Sequence, residues 1–184
     1  MITGEEFAVQ ACSYKYDGLT YDKADCQKFV ERVLLDCGIR KPDGKAYDWK
    51  GANSMWRNAL AWKGTVQECI DKYGAVPVGA WVFVHRYDGG EKERGYNDNE
   101  GNAKHVGIYV GDNKVRDSTE TRSRNGVGYR ELDGFNMVGL PKMITYNPND
   151  NISDVTDKVT KQMALNALET LTKYIKGVYI YAEH

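Results

Sequence analysis

Apolar positions recur along the chain with two periods, and the change from one to the other divides it. From Asp25 to Cys37 the residues Cys26, Phe29, Val30, Val33, Leu34 and Cys37 fall on one stripe of an amphipathic helix. Asp25 stands at the N-cap of that helix and Gly38 ends it. Two more helices are predicted, from about Ser54 to Ala61 and from about Val66 to Tyr73, the latter closed by Gly74, with Trp62-Lys63-Gly64 as a connector. From Val76 the period shortens to two: Val82 and Val84 flank Phe83, and after a polar loop from Arg86 to Lys104 the run His105-Val-Gly-Ile-Tyr-Val alternates. Turn signals at Asp112-Asn113, Asn125-Gly126 and Asp133-Gly134 separate the segments Lys114 to Thr119 and Phe135 to Leu140. Helices followed by an antiparallel meander predict an α+β fold.

Residues 147–157 are polar, acidic and poor in large apolar groups, and read as a linker. Beyond them Leu165, Leu168, Leu171 and Ile175 form one more helical stripe, stopped by Gly177 before Val178 to Tyr181. The expected organisation is a domain over residues 1–146 and an acidic linker with a C-terminal helical tail over 147–184. The stripe must bury against the domain or a partner, including a second copy, and docking on its own domain is the simpler expectation.

Composition narrows the task. A chain of 184 residues has room for one domain and a short appendage. With 25 Lys+Arg against 26 Asp+Glu, the net charge of -1 provides no global field for nucleic acid or an anionic membrane. No apolar run approaches the roughly 18 residues of a membrane helix. The opening residues MITGEEFAVQ lack the basic and apolar regions of a secretory signal. The four cysteines read as free thiols in a chain of this length. The 13 Tyr and 4 Trp, against 4 Phe, favour half-wet surfaces and binding grooves over a dry core.

Candidate chemistry begins at Cys26. At a helix's first turn, unpaired backbone N–H groups and the positive end of the dipole favour thiolate over thiol. A core position explains the same residue equally well, because free cysteine is commonly buried. Cys37 and Cys69 lie within helical patterns and read as core; Cys12 stays undecided. A nucleophilic cysteine needs a base, and the chain has three histidines, His85, His105 and His184. His184 is terminal, and His85 ends a strand, where an exposed or capping role suffices. His105 opens an alternating strand with Gly107 on its face, which leaves room beside an imidazole.

Taken in order, Tyr14-Lys-Tyr16, Ala24-Asp25-Cys26-Gln-Lys-Phe29-Val30, Pro77-Val-Gly79-Ala-Trp-Val-Phe83 and His105-Val-Gly-Ile-Tyr-Val-Gly111 resemble the blocks of the NlpC-type cell-wall cysteine peptidases. The resemblance spans roughly Tyr14 to Met143. It implies a papain-like fold with the nucleophile at a helix N-terminus against an antiparallel sheet, and a peptidoglycan hydrolase that needs no cofactor. By the same resemblance Cys26 is the nucleophile, His105 the base, and the residue twelve positions further on, Asp117, orients the imidazole. The family most often has His, Asn or Gln at that third place, so Asp117 departs from it, although a carboxylate can do the work. A second departure is Gln27-Lys28, where the family commonly has Ser-Gly. Tyr14 matches a family tyrosine that positions substrate; Tyr109, on the His105 face, and Trp56 complete the candidate substrate contacts.

Strand pairing sets a condition on Asp117. A two-residue loop at Asp112-Asn113 pairs Gly111 with Lys114 and Ile108 with Asp117, which turns Asp117 away from His105. An odd-count loop or a bulge between Gly111 and Asp117 restores the match. A strict two-residue hairpin favours Glu120 or Ser118 instead.

The implied chemistry is attack of Cys26 on a peptide carbonyl, with His105 moving the proton, the Cys26 backbone N–H at the oxyanion, and hydrolysis of a thioester. The implied partner is a peptidoglycan stem peptide, often cut between D-glutamate and the next diamino acid. A CHAP-type amidase uses the same pair of residues, and a non-catalytic peptidoglycan-binding or virion structural module could keep the groove without turnover. Metal chemistry is not expected: no C-x-x-C or H-x-x-x-H occurs, and the acidic loop from Tyr96 to Gly101 lacks a full calcium pattern. Arg122, Arg124 and Arg130 form a cluster able to grip a carboxylate or to face solvent. The family acts outside the cytoplasm, so a chain without an export signal suggests a phage or prophage lysin. The other explanation is a fragment of an exported protein whose tail leads to a missing wall-binding domain.

Overall fold

The computed structural model describes residues 2–87 and 99–146, together with 157, 158, 160–162, 164, 165, 167–169, 171 and 172. In chain order the elements are β1 (Ile2–Thr3), α1 (Gly4–Ala11), a 3-10 turn at Tyr14–Tyr16, α2 (Cys26–Asp36), α3 (Ala52–Asn58), β2 (Leu60–Thr65) and α4 (Val66–Tyr73). They continue with β3 (Trp81–Arg86), β4 (Asn102–Gly111), β5 (Lys114–Glu120), β6 (Asn125–Glu131), a 3-10 turn at Leu132–Gly134, β7 (Met137–Pro141) and β8 (Ile144–Thr145). Six strands form one antiparallel sheet in the order β2-β7-β3-β4-β5-β6, and β1 pairs in parallel with β8. The α+β expectation with an antiparallel sheet holds.

Local chemistry sets the helix ends. α1, which hydrophobic periodicity does not reveal, starts on a capping box: Glu6 N donates to Thr3 Oγ1 at 3.1 Å and Thr3 N to Glu6 Oε2 at 2.8 Å. The T-x-x-E spacing of Thr3 and Glu6 was its signal. Thr65 and Glu68 repeat the device at α4. Two expectations need correction. The second helix stops at Asn58, and the expected connector Trp62-Lys63-Gly64 is part of β2, where Lys63 faces Gly139 and Gly64 faces Val138. Two apolar side chains, Leu60 and Trp62, are too few to separate a period of two from a helical one. The turn expected at Asn125-Gly126 lies earlier, closed by Thr121 N donating to Arg124 O at 2.8 Å, so Asn125 already pairs with Glu120.

Alternation along β3 sends Trp81 and Phe83 to one face of the sheet and Val82 to the other. The first face meets Phe7, Phe29, Val33, Leu34, Met55 and Trp56 from the helices, with Val106 and Ile108. The second meets Cys69, Val115, Phe135 and Val138. Each fully buried side chain of this size contributes about 1.5–3 kcal/mol. The central strands are thereby fixed from both sides, and a buried pair, Asn53 Nδ2 to Asn102 Oδ1 at 2.7 Å, ties α3 to the start of β4.

In the tail the described residues are helical, with Lys158 Nζ 2.5 Å from Glu5 Oε1. Leu165, Leu168 and Leu171 are 55, 61 and 58% exposed, so these three leucines are not buried against the domain as expected. Ile175, the segment Val178 to Tyr181, His184 and the linker at 147–156 lie outside the described residues. No helix among the described residues is long and apolar enough to cross a membrane.

Candidate active site

Cys26 is the first residue of α2, capped by Asp25, whose Oδ1 accepts from Lys28 N at 2.8 Å. Its side chain is nearly buried, at the floor of a groove. Three segments line it: Tyr21, Asp25 and Gln27; Lys50, Gly51, Ala52 and Asn53; and Asn102, Ala103 and Lys104 from the start of β4. Gln27 fastens the second segment to the helix. Its Oε1 accepts from Gly51 N, and its Nε2 donates to Trp49 O and, at 2.9 Å, to Glu31 Oε1. Glu31 also accepts from Trp49 N at 2.5 Å. Burial raises the Glu31 carboxyl above its ordinary range, against the lowering effect of those two donors. The departure from Ser-Gly is therefore a structural latch: Gln27 holds the loop that shapes the groove.

His105 lies on β4 between two bulges. Val84 faces His105 while His85 faces Ala103, so Lys104 is an extra residue. Tyr109 faces Val115 while Gly111 faces Lys114, so Val110 is another. The loop itself has two residues, Asp112 and Asn113, both in the left-handed region at φ 48 and 58. The expected odd-count loop or bulge between Gly111 and Asp117 is absent; the shift comes instead from Val110, on the other side of Gly111 within β4, and it brings Gly107 opposite Asp117. Asp117 and His105 then share a face as diagonal neighbours. Gly107 makes their approach possible: a Cβ there would sit 2.4 Å from Val115 Cγ1 and 3.1 Å from Asp117 Cβ.

His105 Nε2 lies 2.6 Å from Asp117 Oδ2. Burial alone would lower the His105 pKa, but the neighbouring Asp117 and Cys26 side chains outweigh it and raise it to about 9. Asp117 is fully buried, and its charge is met from the far side: Arg124 Nη2 bonds Oδ1 and Arg130 Nη1 lies 3.4 Å from Oδ2. Phe135 stacks on the imidazole with centroids 5.8 Å apart.

A thiol that lines the groove, an imidazole and a buried carboxylate thus lie together. No family model, curated protein or solved structure matches this chain. The reading of the site rests on its geometry and on the sequence.

The alternatives to Asp117 are otherwise engaged. Ser118 points to the opposite face, its Oγ donating to Ala24 O at 2.5 Å, and Glu120 is exposed at the strand end. Of the expected substrate contacts, Trp56 is 2% exposed and packs against Phe83 and His85, so it offers no surface to a ligand. Tyr109 is half-buried on the Val82–Val115 side of the sheet, and Tyr14 opens the 3-10 turn; neither lines the groove at Cys26. The groove's tyrosine is Tyr21, whose N donates to Asn125 Oδ1 at 3.1 Å. Its place just upstream of Asp25-Cys26 was the only sequence signal. His85, expected in an exposed or capping role at its strand end, is 3% exposed between Trp56 and Tyr87. Arg124 and Arg130, candidates to grip a ligand or face solvent, turn inward onto Asp117. The four cysteines are free, and burial pushes the Cys37 and Cys69 thiols to about 11, which suits inert positions. Among the described residues no group of three or more His, Cys, Asp or Glu side chains could hold a metal.

Proposed function

We propose that the chain is a papain-like cysteine peptidase of the NlpC type that hydrolyses peptide bonds in peptidoglycan stem peptides. The observation that carries the reading is Cys26, at the first position of α2, beside an imidazole whose Nε2 lies 2.6 Å from a buried carboxylate. An imidazole that keeps its proton to about pH 9 is an imidazolium at neutral pH. The nucleophilic form of a cysteine is its thiolate. The thiolate attacks the scissile carbonyl, and the oxyanion develops beside the unpaired N–H groups of the first turn of α2, including that of Cys26. The imidazolium gives its proton to the leaving amine. His105, now neutral, takes a proton from water, whose oxygen attacks the thioester; the acid departs and the thiolate returns. Asp117 holds the ring's tautomer and stabilises its charge throughout.

The test is to incubate wild type and Cys26→Ala with purified peptidoglycan and identify new termini by mass spectrometry. New peptide termini from wild type alone are expected. Release at the sugar-lactyl link would instead make the chain an amidase of the CHAP type. Retained binding with no product from either protein would leave a binding or virion structural module and overturn the enzymatic reading.

A further inference from the structure

A carboxylate with no exposed surface requires compensation, because an isolated ionised group in the interior either takes up a proton or moves toward water. At Asp117 the compensation is specific to each oxygen. Oδ1 belongs to Arg124 Nη2; Oδ2 is shared between His105 Nε2 at 2.6 Å and Arg130 Nη1 at 3.4 Å. The fold makes room for both guanidinium groups by omitting side chains. A Cβ on Gly128 would come 2.5 Å from Arg124 Nη1, and one on Gly134 would come 2.7 Å from Arg130 Nη2. Arg124 is braced by donating from Nη1 to Tyr129 O at 3.1 Å, and its own N donates to Thr121 Oγ1 at 3.1 Å. Arg130 lies over the Phe135 ring at 4.9 Å, and the same ring stacks on His105.

We propose that Arg124 and Arg130 are positioning residues that act through Asp117: they hold the carboxylate in the one orientation in which Oδ2 meets His105. The inference rests on the catalytic reading of Cys26 and His105. It also accounts for a carboxylate where the resembling family mostly has a neutral side chain or histidine, since a neutral amide at 117 would need no cations behind it. The charged and titratable groups facing the pair are His105 from β4, Arg124 from the turn before β6, Arg130 from β6 and Cys26 from α2.

The experiment follows the imidazole N–H of His105 by nitrogen-15 NMR in the full chain at neutral pH, and in parallel the rate of Cys26 alkylation by iodoacetamide. Wild type is expected to show a slowly exchanging, far-downfield Nε2–H resonance that disappears in Asp117→Asn. Arg124→Gln and Arg130→Gln should each lose it or speed its exchange about tenfold. Arg122→Gln, on the same turn but exposed, should leave it intact. Arg124→Gln should slow alkylation about tenfold in the wild-type background and less than about twofold in the Asp117→Asn background. If Arg124→Gln does not fold, Arg124→Lys keeps a charge without the fork, and an intermediate exchange rate is expected. An unchanged resonance in both arginine variants, or an equal loss of alkylation in the two backgrounds, overturns the proposal. Neither readout uses peptidoglycan, so a wild type that cleaves no stem peptide would sink the peptidase reading and leave the arginine result to be judged alone.

Discussion

Cys26 is placed by the 11 residues of one helix and its cap, whereas His105 and Asp117 are placed by three strands, two bulges and a set of charges drawn from β4 to Phe135. The nucleophile's side of the site is a local device: a helix N-terminus orients Sγ and supplies N–H groups wherever α2 is docked. The imidazole's side is a product of register. Shift β4 against β5 by one residue and Asp117 faces the helices, as Ser118 does now. A local device tolerates change in its surroundings, while a register-built one fails when any member of it moves.

That contrast is broken first at its reacting atoms. Cys26→Ala should abolish turnover, by about a millionfold in kcat, without altering the fold as judged by the amide spectrum. Asp117→Asn should cost roughly a hundred- to ten-thousandfold, and it should move the alkaline limb of the pH–rate profile from about 9 toward the ordinary imidazole value of 6.5. An unmoved limb would separate Asp117 from the catalytic proton. Gly107→Ala should destabilise the chain by about 1–3 kcal/mol through the clash with Val115 and Asp117. A denaturant melt reads this, with activity falling more than stability because the carboxylate is displaced. Asp25→Ala, on the local side, should cost only about 1 kcal/mol and leave the pH limb in place. A further effect is on stability against pH. The folded imidazole is raised from 6.5 to about 9, so its contribution is whole below pH 6.5 and is lost as pH rises through 9. Urea melts across that window should show this slope in wild type and a shallower one in Asp117→Asn.

The same division explains what the sequence disclosed. α2, its cap and its end were legible because each signal lies within a few residues of the next. Asp117 was legible only as a condition on register, and the shift it needed comes from a bulge at Val110, outside the Gly111-to-Asp117 stretch where it was expected. Nothing in the spacing of Arg124 and Arg130 distinguishes a clamp from a solvated cluster; their roles depend on which way β6 faces. Trp56 was expected at the groove, but helix packing turned it inward; Tyr109 keeps the sheet face it shares with His105, as alternation predicts, yet does not line the groove at Cys26. Gln27 shows the converse: a departure in the motif became legible once Trp49 and Gly51 were seen beside it.

Covalent capture tests the central claim most directly. The full chain is mixed with a stem peptide, quenched in acid within the first turnovers and digested, and the acylated residue is located by mass spectrometry. A thioester on Cys26, absent from His105→Ala, is the expected result. No adduct, or one on Cys12, Cys37 or Cys69, would contradict the assignment of Cys26 as the nucleophile.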